Sequence, residues 1–201
     1  MPNRPSASET SPRRRADAER SVAQIMDAAV DALASDPEAS MAEIARRADV
    51  VRATVYVHFP TREVLVEAVT ARAITEAATA IQAAEPEQGN AADALRRVVV
   101  SAWRSLERYH ALVAINTELP QTELRARHQA IMAILEPLIE RGQRDGTFRS
   151  DVPSAWHLSI MLAVIHAASA ELRSRRISRD DAEEALSATI LGALSGVTPR
   201  R

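Results

Sequence analysis

From residue 22 onward the apolar positions recur every three or four residues. Val22, Ile25, Met26, Ala29, Val30 and Leu33 therefore fall on one side of a first helix, which Asp36-Pro37 closes. A second helix is predicted from Ser40, because Glu43 stands three residues on: the hydroxyl can accept from the Glu43 N–H while the carboxylate reaches back. Ile44 and Ala45 turn inward, and the small Ala45 lets another helix cross closely, at about a right angle or more. Asp49-Val50 makes the turn, Asp tolerating a left-handed backbone better than most residues though worse than Gly. A third helix follows over residues 52–59 and ends before Pro60. Val55 and Phe59, four apart, share its inner face, which leaves Arg52, Thr54, Tyr56 and His58 to point elsewhere. A short helix with that free face suits the reading of a DNA groove.

A fourth apolar stripe carries Leu65, Ala68 and Val69, then Ile74, Ala78 and Ile81, to about residue 84. At 1.5 Å per residue it spans roughly 30 Å, enough to leave a three-helix head and enter a second layer. Residues 86–90 (PEQGN) break the composition, and Asn90 is an N-cap for a helix over residues 91–108 with Leu95, Val98, Val99, Ala102, Trp103 and Leu106 inward. A shorter helix over 109–118 is stopped by Pro120, and one from Thr122 repeats Leu124, Ile131, Ile134, Leu135, Leu138 and Ile139, with a kink expected at Pro137. Residues 152–170 hold no group charged at neutral pH, long enough to raise a membrane span. Pro153, Ser154, His157, Ser159, His166 and Ser169 would be costly in lipid, so no membrane is expected and the helix should be buried on several sides. The last helix, residues 180–194, carries Leu186, Ile190, Ala193 and Leu194. One face of these final two helices is expected against their own domain and the other against a twin subunit, a four-helix homodimer interface.

Residues 40–62, read with Ile25-Met26-Asp27-Ala28-Ala29 before them and Thr61-Arg62-Glu63-Val64-Leu65 after, resemble over about fifty residues the DNA-binding segment of the TetR family of transcriptional regulators. Asp145-Gly146-Thr147-Phe148-Arg149 ahead of Asp151-Val152-Pro153 is similar to many TetR-type chains as well. Two positions depart from the pattern: Asp49 stands where the family usually has Gly, and Val51 where a Ser or Thr usually caps the recognition helix, a loss of about 1 kcal/mol. The resemblance implies an all-α fold of about nine helices, with a helix-turn-helix DNA-binding domain and a ligand-binding and dimerisation domain. It implies a repressor bound as a homodimer to a palindromic double-stranded DNA operator, released when an unknown small-molecule effector among the middle helices shifts the fourth helix. The boundaries expected are a disordered tail over 1–16, the head over 17–62 and the second domain over 63–201.

Composition agrees. The chain has 201 residues, 46% of them hydrophobic but only 3% aromatic, with five Gly and no strand-like alternation, which points to helices throughout. The absence of Cys excludes disulfides, thiolate metal sites and a Cys nucleophile, and a cytoplasmic protein fits best. The net charge of -2 does not advertise nucleic-acid binding, but residues 40–62 set Arg46, Arg47, Arg52 and Arg62 against Glu43 and Asp49. Every basic residue is Arg, for which the codon bias of a GC-rich genome is the plain explanation. In the Ser-, Pro- and Arg-rich tail, Arg13, Arg14 and Arg15 either add phosphate or minor-groove contacts or are merely solvated.

Arg52 and Thr54 are assigned to base edges, and Tyr56, His58, Ser40 and Arg62 to phosphates, Arg62 because it opens the next helix, where backbone N–H groups face an anion. Tyr56 and His58 read alternatively as packing within the head, and Arg46 and Arg47 as solvated positions. One such helix reads only a few base pairs, whereas a twofold pair about 34 Å apart reads a palindrome. Trp103, Tyr109, His110, Asn116, Met132, Trp156, Met161 and His166 are candidates to line the effector cavity, although each type also serves as core filler. No two His of positions 58, 110, 128, 157 and 166 have H-E-x-x-H spacing, and no Gly-rich phosphate loop or G-x-S-x-G elbow occurs. No enzyme activity, metal or cofactor is therefore expected. The competing reading is a helical homodimer acting through protein contacts, its head an interaction module.

Overall fold

The computed structural model describes residues 12–115 and 120–195. They form α1 (Pro12–Ser35), α2 (Met41–Arg47), α3 (Arg52–His58), α4 (Arg62–Ala83), α5 (Ala91–Ser105), a 3-10 turn (Glu107–Tyr109), α6 (His110–Ile115), α7 (Gln121–Arg127), α8 (Gln129–Arg144), α9 (Ser154–Arg173) and α10 (Arg179–Leu194). The chain divides into two compact units, residues 1–68 and 69–201. The division falls inside α4, where Leu65 is fully buried, rather than before residue 63. Helix α1 starts at Pro12, so the tail expected to reach residue 16 is helical from there. Proline's fixed φ and missing N–H suit a first helical position, and Ala16, Ala18 and Glu19 propagate it.

In the first unit α1 packs on α2 and α2 on α3, over a core of Ile25, Ala29, Leu33, Ile44, Val55 and Phe59. The turn between α2 and α3 has Asp49 at φ 54°. Its N–H bonds the Arg46 carbonyl at 3.3 Å, and the Val50 N–H bonds that of Ala45 at 3.1 Å. This pair of bonds is the Schellman ending that satisfies a helix's last carbonyls, made here by Asp where Gly is the usual choice.

In the second unit the core gathers Leu95, Val98, Val99 and Trp103 of α5, Leu138 and Ile139 of α8, Leu158 and Met161 of α9, and Leu186, Ile190 and Leu194 of α10. The apolar spacings read from the sequence supply the rows of α5, α8 and α10, whereas α9 is marked by its lack of charge alone. Phe148 lies against Gly142, where a Cβ would come within 2.1 Å of its ring, so that position takes no side chain. Two readings are corrected. The helix expected unbroken from Thr122 divides at His128, whose Nδ1 bonds the Leu124 carbonyl at 2.8 Å. The segment expected to continue to residue 108 ends at Ser105 and tightens into the 3-10 turn before α6.

Arginine forks hold the connections. Arg97 donates to the carbonyls of Ala84, Glu85 and Gln88 at 2.9–3.1 Å, and Arg141 to those of Glu87 and, at 3.0 Å, Pro86. A guanidinium offers five donors in a fixed plane where an ammonium offers three from one atom, so this chemistry has a structural use here beyond codon bias.

Candidate nucleic-acid interface and effector cavity

The head is built from its caps. Ser40 Oγ accepts from the Glu43 N–H at 3.3 Å, the first half of the expected capping box. The second half is absent: the Glu43 carboxylate takes ion pairs from Arg46 and, at 2.9 Å, from Arg47. Arg47 also donates to the Asp31 carbonyl at 2.9 Å, tying the end of α1 to α2. Val51 caps α3 with no side-chain bond and is 71% exposed, as expected where the family's hydroxyl is missing.

On α3, Val55 is fully buried. Arg52 and Tyr56 lie together on the outer surface, Arg52 Nη2 donating to the Tyr56 hydroxyl at 3.1 Å, with the guanidinium carbon 5.3 Å from the ring centroid. Thr54 and His58 are half-buried, the His58 ring centroid 6.5 Å from that of Phe59. The polar reading of this helix missed two exposed positions. Ala53 and Val57, two residues either side of Val55, stand roughly half a turn away from it, and Val57 is 77% exposed. The period that buries Val55 was itself enough to find them.

Arg62 needs a correction. Expected at a phosphate, it turns back into the head, its Nε donating to the Ala39 carbonyl at 3.3 Å and its Nη2 to that of Pro37. The first turn of α4 is further satisfied from within, since Thr61 Oγ1 accepts from the Val64 N–H at 3.3 Å. The Glu63 carboxyl sits there below its usual range, held by its own backbone N–H and then by Thr61. A carboxylate at that helix end opposes an incoming phosphate.

The second unit contains a cavity of about 70 Å³. Of the expected lining residues it takes Met132, Met161 and His166. Trp103 and His110 belong to a separate crevice with Arg104, Arg179, Asp180 and Glu183. Tyr109 is fully buried near the Arg72 and Arg108 guanidiniums, Trp156 is 57% exposed, and Asn116 lies outside the described residues. The sequence reading missed His128, although its spacing to Met132 and Leu135 (four and seven) puts all three on one face.

Histidines supply the cavity's polar atoms together with Thr70. The rings of His128 and His166 meet edge-on, centroids 5.9 Å apart. Burial pushes His166 down to about 4, and the nearby His128 adds to this against a bond to the Val113 carbonyl. Burial also lowers His128. His110 falls to about 4 by burial; its Nδ1 lies 3.3 Å from Ser169 Oγ, which donates to the Ile165 carbonyl at 3.0 Å. The His110 Nδ1 therefore carries the proton.

A capped three-helix head that presents a short, outward-facing third helix defines a helix-turn-helix DNA-binding protein. The sequence profile of the bacterial regulatory proteins of the tetR family matches residues 25–69. The HTH-type transcriptional repressor LfrR of Mycolicibacterium smegmatis is 32% identical over 152 residues, covering 74% of this chain and 77% of LfrR. The crystal structure of LfrR from Mycobacterium smegmatis in complex with proflavine superposes with a TM-score of 0.67 at 25% identity, covering 89% of this chain and 98% of that one. FadR from Bacillus subtilis in complex with stearoyl-CoA shares the fold, with a TM-score of 0.68 at 22% identity over 87% of this chain and 98% of that one. The chain belongs to the TetR family and is a DNA-binding transcriptional regulator. Its relatives are regulators rather than enzymes, and the protein-contact alternative is not favoured.

Proposed function

We propose that the chain is a cytoplasmic repressor that grips a palindromic operator as a homodimer and is released when a small molecule enters the cavity of its second unit. One observation carries this reading. A single helix, α4, contributes Arg62, which ties down the loop of the head, and also lines the cavity with Thr70, Ala73, Ile74, Ala77 and Ile81. An occupant that prefers one setting of α4 biases the ensemble towards it, and a hundredfold loss of operator affinity needs about 2.7 kcal/mol of preference. That LfrR, which shares this fold, forms a complex with proflavine supports a small-molecule ligand.

At the operator, Arg52 and Thr54 read base edges while Tyr56, His58 and Ser40 meet phosphates; Arg62 acts by holding the head in shape. For the dimer, Leu186, Ile190 and Leu194 are already buried in their own unit. The face left over carries small residues, Ala163 and Ala167 on α9 and Ala185, Ala188, Thr189 and Gly192 on α10, which let partner helices approach closely. Helix α9 is long and apolar enough to cross a membrane, and a window of it is only 33% buried. A twin subunit covers that surplus without lipid.

Sedimentation of the full chain tests the proposal. The wild type should run as a dimer and Ala188→Arg as a helical monomer with at least a hundredfold weaker operator binding. A monomeric wild type, or an Ala188→Arg dimer, would refute this interface.

A further inference from the structure

The cavity in the second unit has an uneven chemistry. Among the described residues its lining includes no Asp, Glu or Arg, and it is hydrocarbon apart from Thr70, His128, His166 and the sulfurs of Met132 and Met161. His166 is 93% buried, judged from its 7% exposure. Its ring bonds the Val113 carbonyl, while its Nδ1 has no hydrogen-bond partner. A carbonyl only accepts, so the bond to Val113 comes from Nε2–H, and Nδ1 is a bare lone pair in the neutral ring. His128 gives its Nδ1 proton to the Leu124 carbonyl at 2.8 Å, which leaves its Nε2 as another acceptor. Both rings belong to the cavity lining, and each carries one unprotonated nitrogen there.

A fixed cation would meet no counter-charge in this lining, and an anion would meet lone pairs. Burying either without a partner is costly. An unpaired buried acceptor, by contrast, is relieved by any neutral O–H or N–H that reaches it.

We infer that the effector is an uncharged, largely apolar molecule carrying one O–H or N–H donor, which it gives to Nδ1 of His166. This rests on the effector-cavity reading above. At about 70 Å³ the space is smaller than the ~150 Å³ of an engineered cavity that takes benzene. A ring-sized occupant therefore requires side chains to move, and the flexible thioethers of Met132 and Met161 can do so.

Calorimetric titration of the 201-residue chain with four probes of one ring system tests this: 1-naphthol, 1-methoxynaphthalene, 1-naphthoate and 1-naphthylmethylammonium. Naphthol should bind at least tenfold more tightly than each of the others. His166→Leu should remove its advantage over the methoxy compound, and His166→Gln, which keeps an acceptor and a donor, should retain part of it. Should His166→Leu fail to fold, the wild-type ranking and His166→Gln decide. Equal binding of naphthol and its methyl ether, tighter binding of either charged probe, or an advantage that survives His166→Leu would overturn the inference and leave the cavity as an effector site. Binding of no probe at millimolar concentration would overturn both.

Discussion

Arg52 and Tyr56 are joined on the outer surface of α3, the guanidinium donating to the phenol oxygen at 3.1 Å and lying 5.3 Å from the ring centroid. The two stand one helical turn apart, so each fixes the direction in which the other leaves the helix. Arg52→Ala should weaken operator binding by about 1–3 kcal/mol and relax preference at particular base pairs. Tyr56→Phe keeps the ring and removes the hydroxyl, so it should weaken binding evenly across sequences. Competition assays with single-base operator variants separate the two patterns. Identical profiles for both variants would show that the pair does not divide its work between bases and phosphates.

Arg62 holds the carbonyls of Pro37 and Ala39 from the first turn of α4. Its removal leaves acceptors in a partly buried loop, which costs about 1–3 kcal/mol. Arg62→Ala should lower the thermal midpoint and speed hydrogen exchange around residues 38–41, with operator affinity falling as a consequence. Arg62→Lys should restore only part, since an ammonium lacks the planar fork. A large loss of affinity at an unchanged midpoint would instead return Arg62 to the phosphate backbone.

Val51 starts α3 without a side-chain cap. Val51→Thr should stabilise the protein by about 1 kcal/mol, seen as a higher denaturant midpoint at constant slope. No gain would mean that another group already satisfies the first turn.

His110 and His166 sit at about 4, both lowered first by burial from the usual 6.5. Between those values the unfolded chain binds protons that the folded chain refuses. Their contribution is therefore complete above pH 6.5 and is lost as pH falls towards 4, at up to about 1.4 kcal/mol per pH unit for each group. Urea unfolding at pH 7, 6 and 5 should show this decline, and a neutral side chain at position 166 should flatten it. A pH-independent stability over that range would contradict the burial of both rings.

Much of this was legible in the residues. The periods of three and four locate α1, α5 and α10, the uncharged run over residues 152–170 locates α9, and the cap at Ser40 and the proline after Phe59 bracket α2 and α3. The failures share a cause. Candidates chosen by residue type, such as Trp103, Tyr109 and Trp156, were placed by chemistry without regard to the side of the helix they occupy, and that side is fixed by packing between helices distant in sequence. His128, in step with Met132 and Leu135, was available to the same periodicity that found the core. Arg62 was read from its helix end alone, and only the fold brings the carbonyls of residues 37 and 39 to meet it. The division of α7 from α8 left no signal of proline or glycine to read.

The most direct test of the account is selection of bound duplexes from a random DNA pool by the 201-residue chain, followed by titration of the winner against salt. The account predicts an inverted repeat with half-sites about one helical turn apart, and binding that falls steeply with added salt. A pool that returns no enriched sequence, or a single half-site bound by one chain, would contradict it.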